Sequence, residues 1–171
     1  MSVQCPICDS LLGNSPTAWG DYSEYNCKRC GKFQITGSAE FELPALLKDD
    51  PNRIAALSYA VQQIQRTQGL AKVDSAFLKK LLETRLPSSQ GQANNLVLWV
   101  GDNVIAPGET VEVSPASHMG IVGATTPKGF DQVLRHLFDN ELVEGHLSRS
   151  IGILGQGAIT LSFSGRELYE N

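Results

Sequence analysis

The sequence predicts an α+β protein, with a small cysteine-held module at the N-terminus and a helical body that ends in a pair of strands. Three observations carry this. Two C-x-x-C pairs, Cys5-Pro6-Ile7-Cys8 and Cys27-Lys28-Arg29-Cys30, contain all 4 cysteines of the 171-residue chain. Between Thr126 and Asp139, apolar Phe130, Val133, Leu134, Leu137 and Phe138 recur at the i, i+3, i+4, i+7, i+8 spacing of one helix face. That segment is followed by Leu142-Val143-Glu144, a glycine-rich stretch from Gly152 to Gly157, and the apolar run Ala158-Ile159-Thr160-Leu161-Ser162-Phe163.

The cysteine pairs fit a four-cysteine zinc site, in which two chelating turns are separated by roughly 15–20 residues. Each short turn lets two sulfurs face one ion, and two turns supply the tetrahedral thiolate set that Zn²⁺ prefers. Gly31 follows the second pair, where the turn needs a residue tolerant of positive φ, and Asp9 fills that place in the first. The expectation is a zinc ribbon over residues 1–37, with Cys5, Cys8, Cys27 and Cys30 as metal ligands and one structural zinc per chain. Four protein ligands leave no open coordination position, so the ion is structural and not catalytic. Its removal should unfold residues 1 to about 37 first, because metal binding in such modules supplies folding free energy. Two disulfides in a secreted domain are the alternative; a redox C-x-x-C calls for one pair beside a βαβ pattern instead.

Composition is that of a soluble globular protein, 42% hydrophobic and 19% charged. No apolar run is long enough to span a membrane, and Met1-Ser2-Val3-Gln4 lacks the regions of a signal peptide. Thiols committed to a metal suit a reducing compartment, so the expected location is cytoplasmic. The formal charge is −4 with cysteines neutral. Four thiolates on one dication add a further −2, which lowers the expectation of phosphate-driven nucleic-acid binding.

After the second cysteine pair, Lys32–Gly37 alternates like the closing strand of a hairpin, and residues 38–50 read as an apolar connector. The body, residues 51–171, opens with Asp50 as N-cap and Pro51 in the first helical position. That helix places Ile54, Leu57, Val61 and Ile64 on one face and stops at Gly69. A second helix follows Asp74 or Ser75, with Phe77, Leu78, Leu81 and Leu82 inward. A third starts near Ser88 or Ser89, and Leu96–Val100 makes it apolar nearly all round and the most buried of the set. Pro107-Gly108 is a turn, Thr110–Val113 a strand, and Ile121–Ala124 reads as another. Thr126 caps and Pro127 opens the amphipathic helix, and Ser164-Gly165-Arg166-Glu167 reads as a capping box for a last one.

The order helix, strand, flexible loop, strand, helix resembles a winged helix, giving the full expectation of a zinc ribbon packed on a helical, winged-helix-like domain. Three stretches also resemble, as a set, an N-terminal region of uncharacterised bacterial multidomain proteins: Leu96–Asn103, Gly108–Val113, and Gly129-Phe130 through Leu134–Phe138. There the region precedes an effector-like domain of the TIR or nucleoside-deoxyribosyltransferase type. The resemblance implies a sensor or adaptor whose partner is an effector domain or another protein, self-association included. It carries no activity with it.

No catalytic set stands out. His118, His136 and His146 lack metal-ligand spacing, with His118 and His146 in expected loops. Gly152–Gly157 is followed by a strand and not a helix N-terminus, so it fails as a phosphate loop. Trp19, Tyr22 and Tyr25 read either as the best exposed contact surface or as hydrophobic cover for the ribbon, and Trp99 belongs to the core. The reading is therefore a recognition module and not an enzyme. Its nucleic-acid alternative uses Lys128, Gln132 and Arg135 on the amphipathic helix and Arg149 in the wing, opposed by Asp131 and Asp139 on the same outward face.

Overall fold

Between the cysteine pairs the chain forms strands β1 (Thr17–Trp19) and β2 (Tyr22–Cys27), and after the second pair β3 (Gly31–Thr36). β2 and β3 are antiparallel, paired from Tyr22↔Thr36 to Cys27↔Gly31. This register sends Tyr25, Phe33 and Ile35 into a core, where the Tyr25 and Phe33 rings stack with centroids 5.5 Å apart. The structure, a computed structural model, describes residues 3–81, 83–104, 106, 108–148 and 155–171. Leu82, Pro107, Arg149 and Gly152, to which the sequence assigns roles, lie outside the described residues.

Residues 38–50 are not a connector. Helix α1 (Gly37–Leu47) begins directly after β3, where the Thr36 hydroxyl accepts a hydrogen bond from the Ala39 amide at 3.2 Å. Ala39, Leu43 and Leu47 stand at i, i+4 and i+8 and are buried in the same core as Phe33. Pro44 inside the helix hides this periodicity in the sequence, since proline normally ends one. Helix α2 (Pro51–Gln68) follows as expected: Asp50 accepts from the Asn52 amide at 2.9 Å, and Gly69 closes it at φ 89°. Strand β4 (Ala71–Val73) then adds parallel to β3, completing a four-stranded sheet in the order β1-β2-β3-β4. Helix α3 (Ser75–Leu81) follows, its first turn capped by Asp74, which accepts from the Phe77 amide at 2.7 Å.

The chain divides into two compact units, Met1–Leu86 and Pro87–Asn171, each with its own apolar core. The division expected at residues 37 and 51 is displaced because α1, α2 and β4 share one core with the cysteine hairpin.

The second unit contains α4 (Ser89–Asn103), β5 (Val111–Val113), α5 (Pro115–Val122), α6 (Pro127–Asp139), β6 (Val143–Leu147), β7 (Gly157–Leu161) and α7 (Phe163–Glu170). Its three strands form an antiparallel sheet in the order β5-β7-β6. α4 buries Ala93, Leu96, Val97 and Val100. α6 buries Phe130, Val133, Leu134 and Leu137 and is capped by Thr126, which accepts from the Gly129 amide at 3.0 Å. Over the described residues the architecture is α+β, with seven helices and two small sheets.

Four expectations change here. Ile121 and Val122 end helix α5 rather than forming a strand, because Ser114 and Pro115 start a helix and Gly123 stops it in the left-handed conformation at φ 76°. His146 lies in β6 and not in a loop. The last helix is capped by Ser162, not Ser164: its hydroxyl accepts from the Gly165 amide at 3.0 Å and donates to the Glu141 carbonyl. Finally, His118 is buried in α5, its ring edge-on to Trp99 with centroids 4.3 Å apart.

Burial pushes the His118 pKa below its usual 6.5, opposed by its backbone contact with Ser114. The folded unit therefore binds a proton less readily than the unfolded chain. Stability is full above about pH 6.5 and declines as pH falls below it. Urea midpoints followed by Trp99 fluorescence should drop between about pH 7.5 and 5.5, and His118→Gln should flatten that drop.

Candidate metal centre

The four cysteines meet at one point. Their sulfurs all lie within 4.8 Å of one another, and Cys5, Cys27 and Cys30 are buried. Two separate turns achieve this. In the first, the Asp9 amide donates to the Cys5 carbonyl and the Cys5 amide to the Ser10 carbonyl, both at 2.9 Å, with Asp9 left-handed at φ 56°. In the second, the turn joining β2 to β3, the Cys30 amide points at Cys27 Sγ at 3.5 Å. Gly31 there has φ 79°, a left-handed conformation that favours glycine, and a Cβ would also displace the amide end of the Gln65 side chain.

All four cysteines are free thiols, with Cys5 and Cys30 sulfurs 3.9 Å apart and Cys8 and Cys27 sulfurs 3.6 Å apart. A disulfide needs about 2.05 Å, so no pair is bonded. A tetrahedron with Zn–S bonds of about 2.3 Å has edges of about 3.8 Å, and the observed separations fit it. In the bare cluster the protons divide unevenly. Hydrogen bonding with Cys27 and burial raise Cys5 and Cys30 far above the usual thiol range. Hydrogen bonding with Cys27, Cys30 and Cys5 lowers Cys8, while bonds with Cys30 and Cys5 bring Cys27 to about 7. Four adjacent sulfurs cannot all become anionic here without a cation, and a dication among them removes that conflict. The donor set therefore suits a thiophilic metal ion.

α2 supplies outer support that the sequence does not announce. Ser58, fully buried, places its hydroxyl 3.2 Å from Cys30 Sγ. Gln62 donates to the Arg29 carbonyl at 3.0 Å, and Gln65 donates to the Lys32 carbonyl. On the exposed side, Ser10 Oγ lies 3.2 Å from Cys8 Sγ. The available signal was Ser58 itself, a hydroxyl in the Ile54, Leu57, Val61 stripe where the period calls for an apolar residue. Outer-shell donors of this kind hold thiolates in place, and their loss commonly costs about 10–100-fold in metal affinity. Ser58→Ala should weaken zinc binding by about that factor in chelator competition, while Ser10→Ala, at the exposed sulfur, should do less.

The remaining site residues are scattered. Lys128, Gln132 and Arg135 are exposed on α6, and Arg149 lies outside the described residues. Asp131 does not face outward with them. It is buried, accepting from the Gly155 amide at 2.9 Å and from Arg135 Nε at 2.8 Å, so it fastens the segment before β7 to α6. The expected aromatic surface also divides: Trp19 is 60% exposed, Tyr22 half-buried beneath Lys72, and Tyr25 core, its hydroxyl donating to Glu40. No helix among the described residues is long and apolar enough to cross a membrane. No protein-family model, curated protein or solved structure matches this chain.

Proposed function

We propose that this chain is a zinc-stabilised recognition module, an adaptor that binds a protein partner or a small ligand and does not transform it. The convergence of Cys5, Cys8, Cys27 and Cys30 carries the reading. Four protein sulfurs would hold one Zn²⁺ with no open position, so the ion supplies a cross-link and not a reaction centre. The β2–β3 hairpin leading out of the second cysteine pair supports a zinc ribbon as the first module. For the second, the order α4-β5-α5-α6-β6-β7 and the sheet order β5-β7-β6 support a winged helix. Following the resemblance to bacterial effector proteins, the proposed partner is an effector domain in the same polypeptide or another, in a reducing cytoplasm.

Binding of nucleic acid is the second reading, favoured by one observation. With Asp131 buried, the exposed face of α6 presents Lys128, Gln132 and Arg135, the last paired with Asp131, beside a single exposed carboxylate, Asp139. Fluorescence anisotropy on a labelled DNA duplex at about 50 and 200 mM salt separates the two. The adaptor reading expects no salt-sensitive binding and no effect of Lys128→Glu or Arg135→Glu. Tight binding that salt and either charge reversal abolish would replace it with the nucleic-acid reading. Co-purification with a co-expressed effector domain tests the adaptor directly.

A further inference from the structure

The first unit holds a cleft of about 290 Å³ between the N-terminal end of α2, the end of α1 and the segment after α3. Leu46, Ala56 and Leu81 make its apolar wall, and Asn52, Arg53 and Arg85 line it with polar groups. Its size is at the small end of ligand pockets, which combine apolar walls with a few convergent polar groups. The two arginines differ in how they are held. Arg53 donates through Nη1 to the Leu46 carbonyl, and its Nε lies 3.6 Å from Asp50, so its guanidinium is fixed against the cleft. Arg85 is exposed and forms no ion pair among the described residues. Asp50 offsets one of the two positive charges and leaves the other.

We propose that this cleft binds a small amphipathic anion, with a carboxylate or phosphate head on Arg85 and Arg53 and a short apolar tail against Leu46, Ala56 and Leu81. Charge complementarity selects the head. Arginine offers a planar fork of donors that matches carboxylate and phosphate oxygens two at a time. The apolar wall selects a tail, since a bare inorganic ion would leave it wet. Size and net charge argue against a long polyanion, because the chain as a whole carries −4 and would repel the parts lying outside the cleft. The inference gives a ligand class to the sensing side of the recognition reading and rests on it.

The test is an amide chemical-shift titration of the full zinc-loaded chain with octanoate and with octyl phosphate, using octanol and acetate as controls. The proposal expects saturable shifts confined to Asn52, Arg53, Ala56, Leu81 and Arg85 with at least one of the two anions, and the stronger binder identifies the head group. Octanol and acetate should bind at least about tenfold more weakly, and Arg85→Glu should cut the anion's affinity about tenfold while the melting temperature stays put. Octanol binding as well as the anions, shifts scattered over other surfaces, or an undiminished affinity in Arg85→Glu would each overturn it. Those outcomes leave the effector co-purification untouched, so the cleft proposal and the adaptor reading fail separately.

Discussion

Chelating the zinc proposed for the four-cysteine site should unfold the whole first unit, Met1–Leu86, and leave Pro87–Asn171 folded. Magnitudes decide this. Structural zinc contributes about 10–16 kcal/mol of apparent binding free energy in small peptides. A domain of ordinary size is stable by only about 5–15 kcal/mol in total. Losing the metal therefore removes as much as the unit possesses. From the sequence alone, residues 1 to about 37 are the part expected to unfold first. The structure extends that part, because Ser58, Gln62 and Gln65 on α2 contact Cys30 and the turn around it, and β4 pairs with β3. Cys30→Ser should act like chelation, since Cys30 is fully buried beside Ser58. Hydrogen exchange followed by peptide should show α2 and α3 losing protection along with the hairpin, while α4 and α6 keep theirs. Protected α2 and α3 in metal-free protein would show that the two parts of the unit stand alone.

Phe130→Ala destabilises the second unit by about 3–5 kcal/mol, the usual cost of deleting a buried phenylalanine ring. Phe130 is fully buried on α6, among the core formed with Leu96, Val100, Leu134 and Ile159. Its ring lies 6.5 Å from that of His118, centroid to centroid. A Cβ on Gly155 would stand only 2.8 Å from Phe130 Cδ1, so the segment entering β7 rests directly on the ring. Removing it loosens both the α5–α6 packing and the segment that Asp131 fastens. Phe163→Ala is the control. Phe163 is 86% exposed, and its loss should stay within about 0.5 kcal/mol. Urea unfolding followed by Trp99 fluorescence measures both, and a Phe130→Ala loss below about 1 kcal/mol would contradict this packing.

What the sequence discloses is what local chemistry dictates. The Thr126 cap, Pro127 and the apolar period fixed α6 to its residue, and Asp50, Pro51 and Gly69 did the same for α2. The convergence of the four cysteines was legible because two C-x-x-C pairs at chelating spacing have few other uses. Elements whose stability comes from distant contacts were not legible. α1 carries Pro44, and its helical face, Ala39, Leu43 and Leu47, acquires meaning only against β3. β4 has three residues, and only its pairing with β3 makes it a strand. α5 is short and rich in small residues, so it shows no clear helical period, and its apolar end, Ile121 and Val122, reads as a strand. Asp131 misleads for a related reason: a carboxylate on a polar helix face reads as solvated until Gly155, 24 residues later, brings its amide to it.

The proposed fold of the first unit depends on one zinc ion held by Cys5, Cys8, Cys27 and Cys30. Metal analysis of protein purified natively without added zinc, paired with thiol titration before and after denaturation, measures this directly. The prediction is one zinc per chain, with all four thiols protected in the folded protein and all four released on unfolding. Well under one zinc per chain, with the four sulfurs freely reactive or oxidised in the native state, would contradict it.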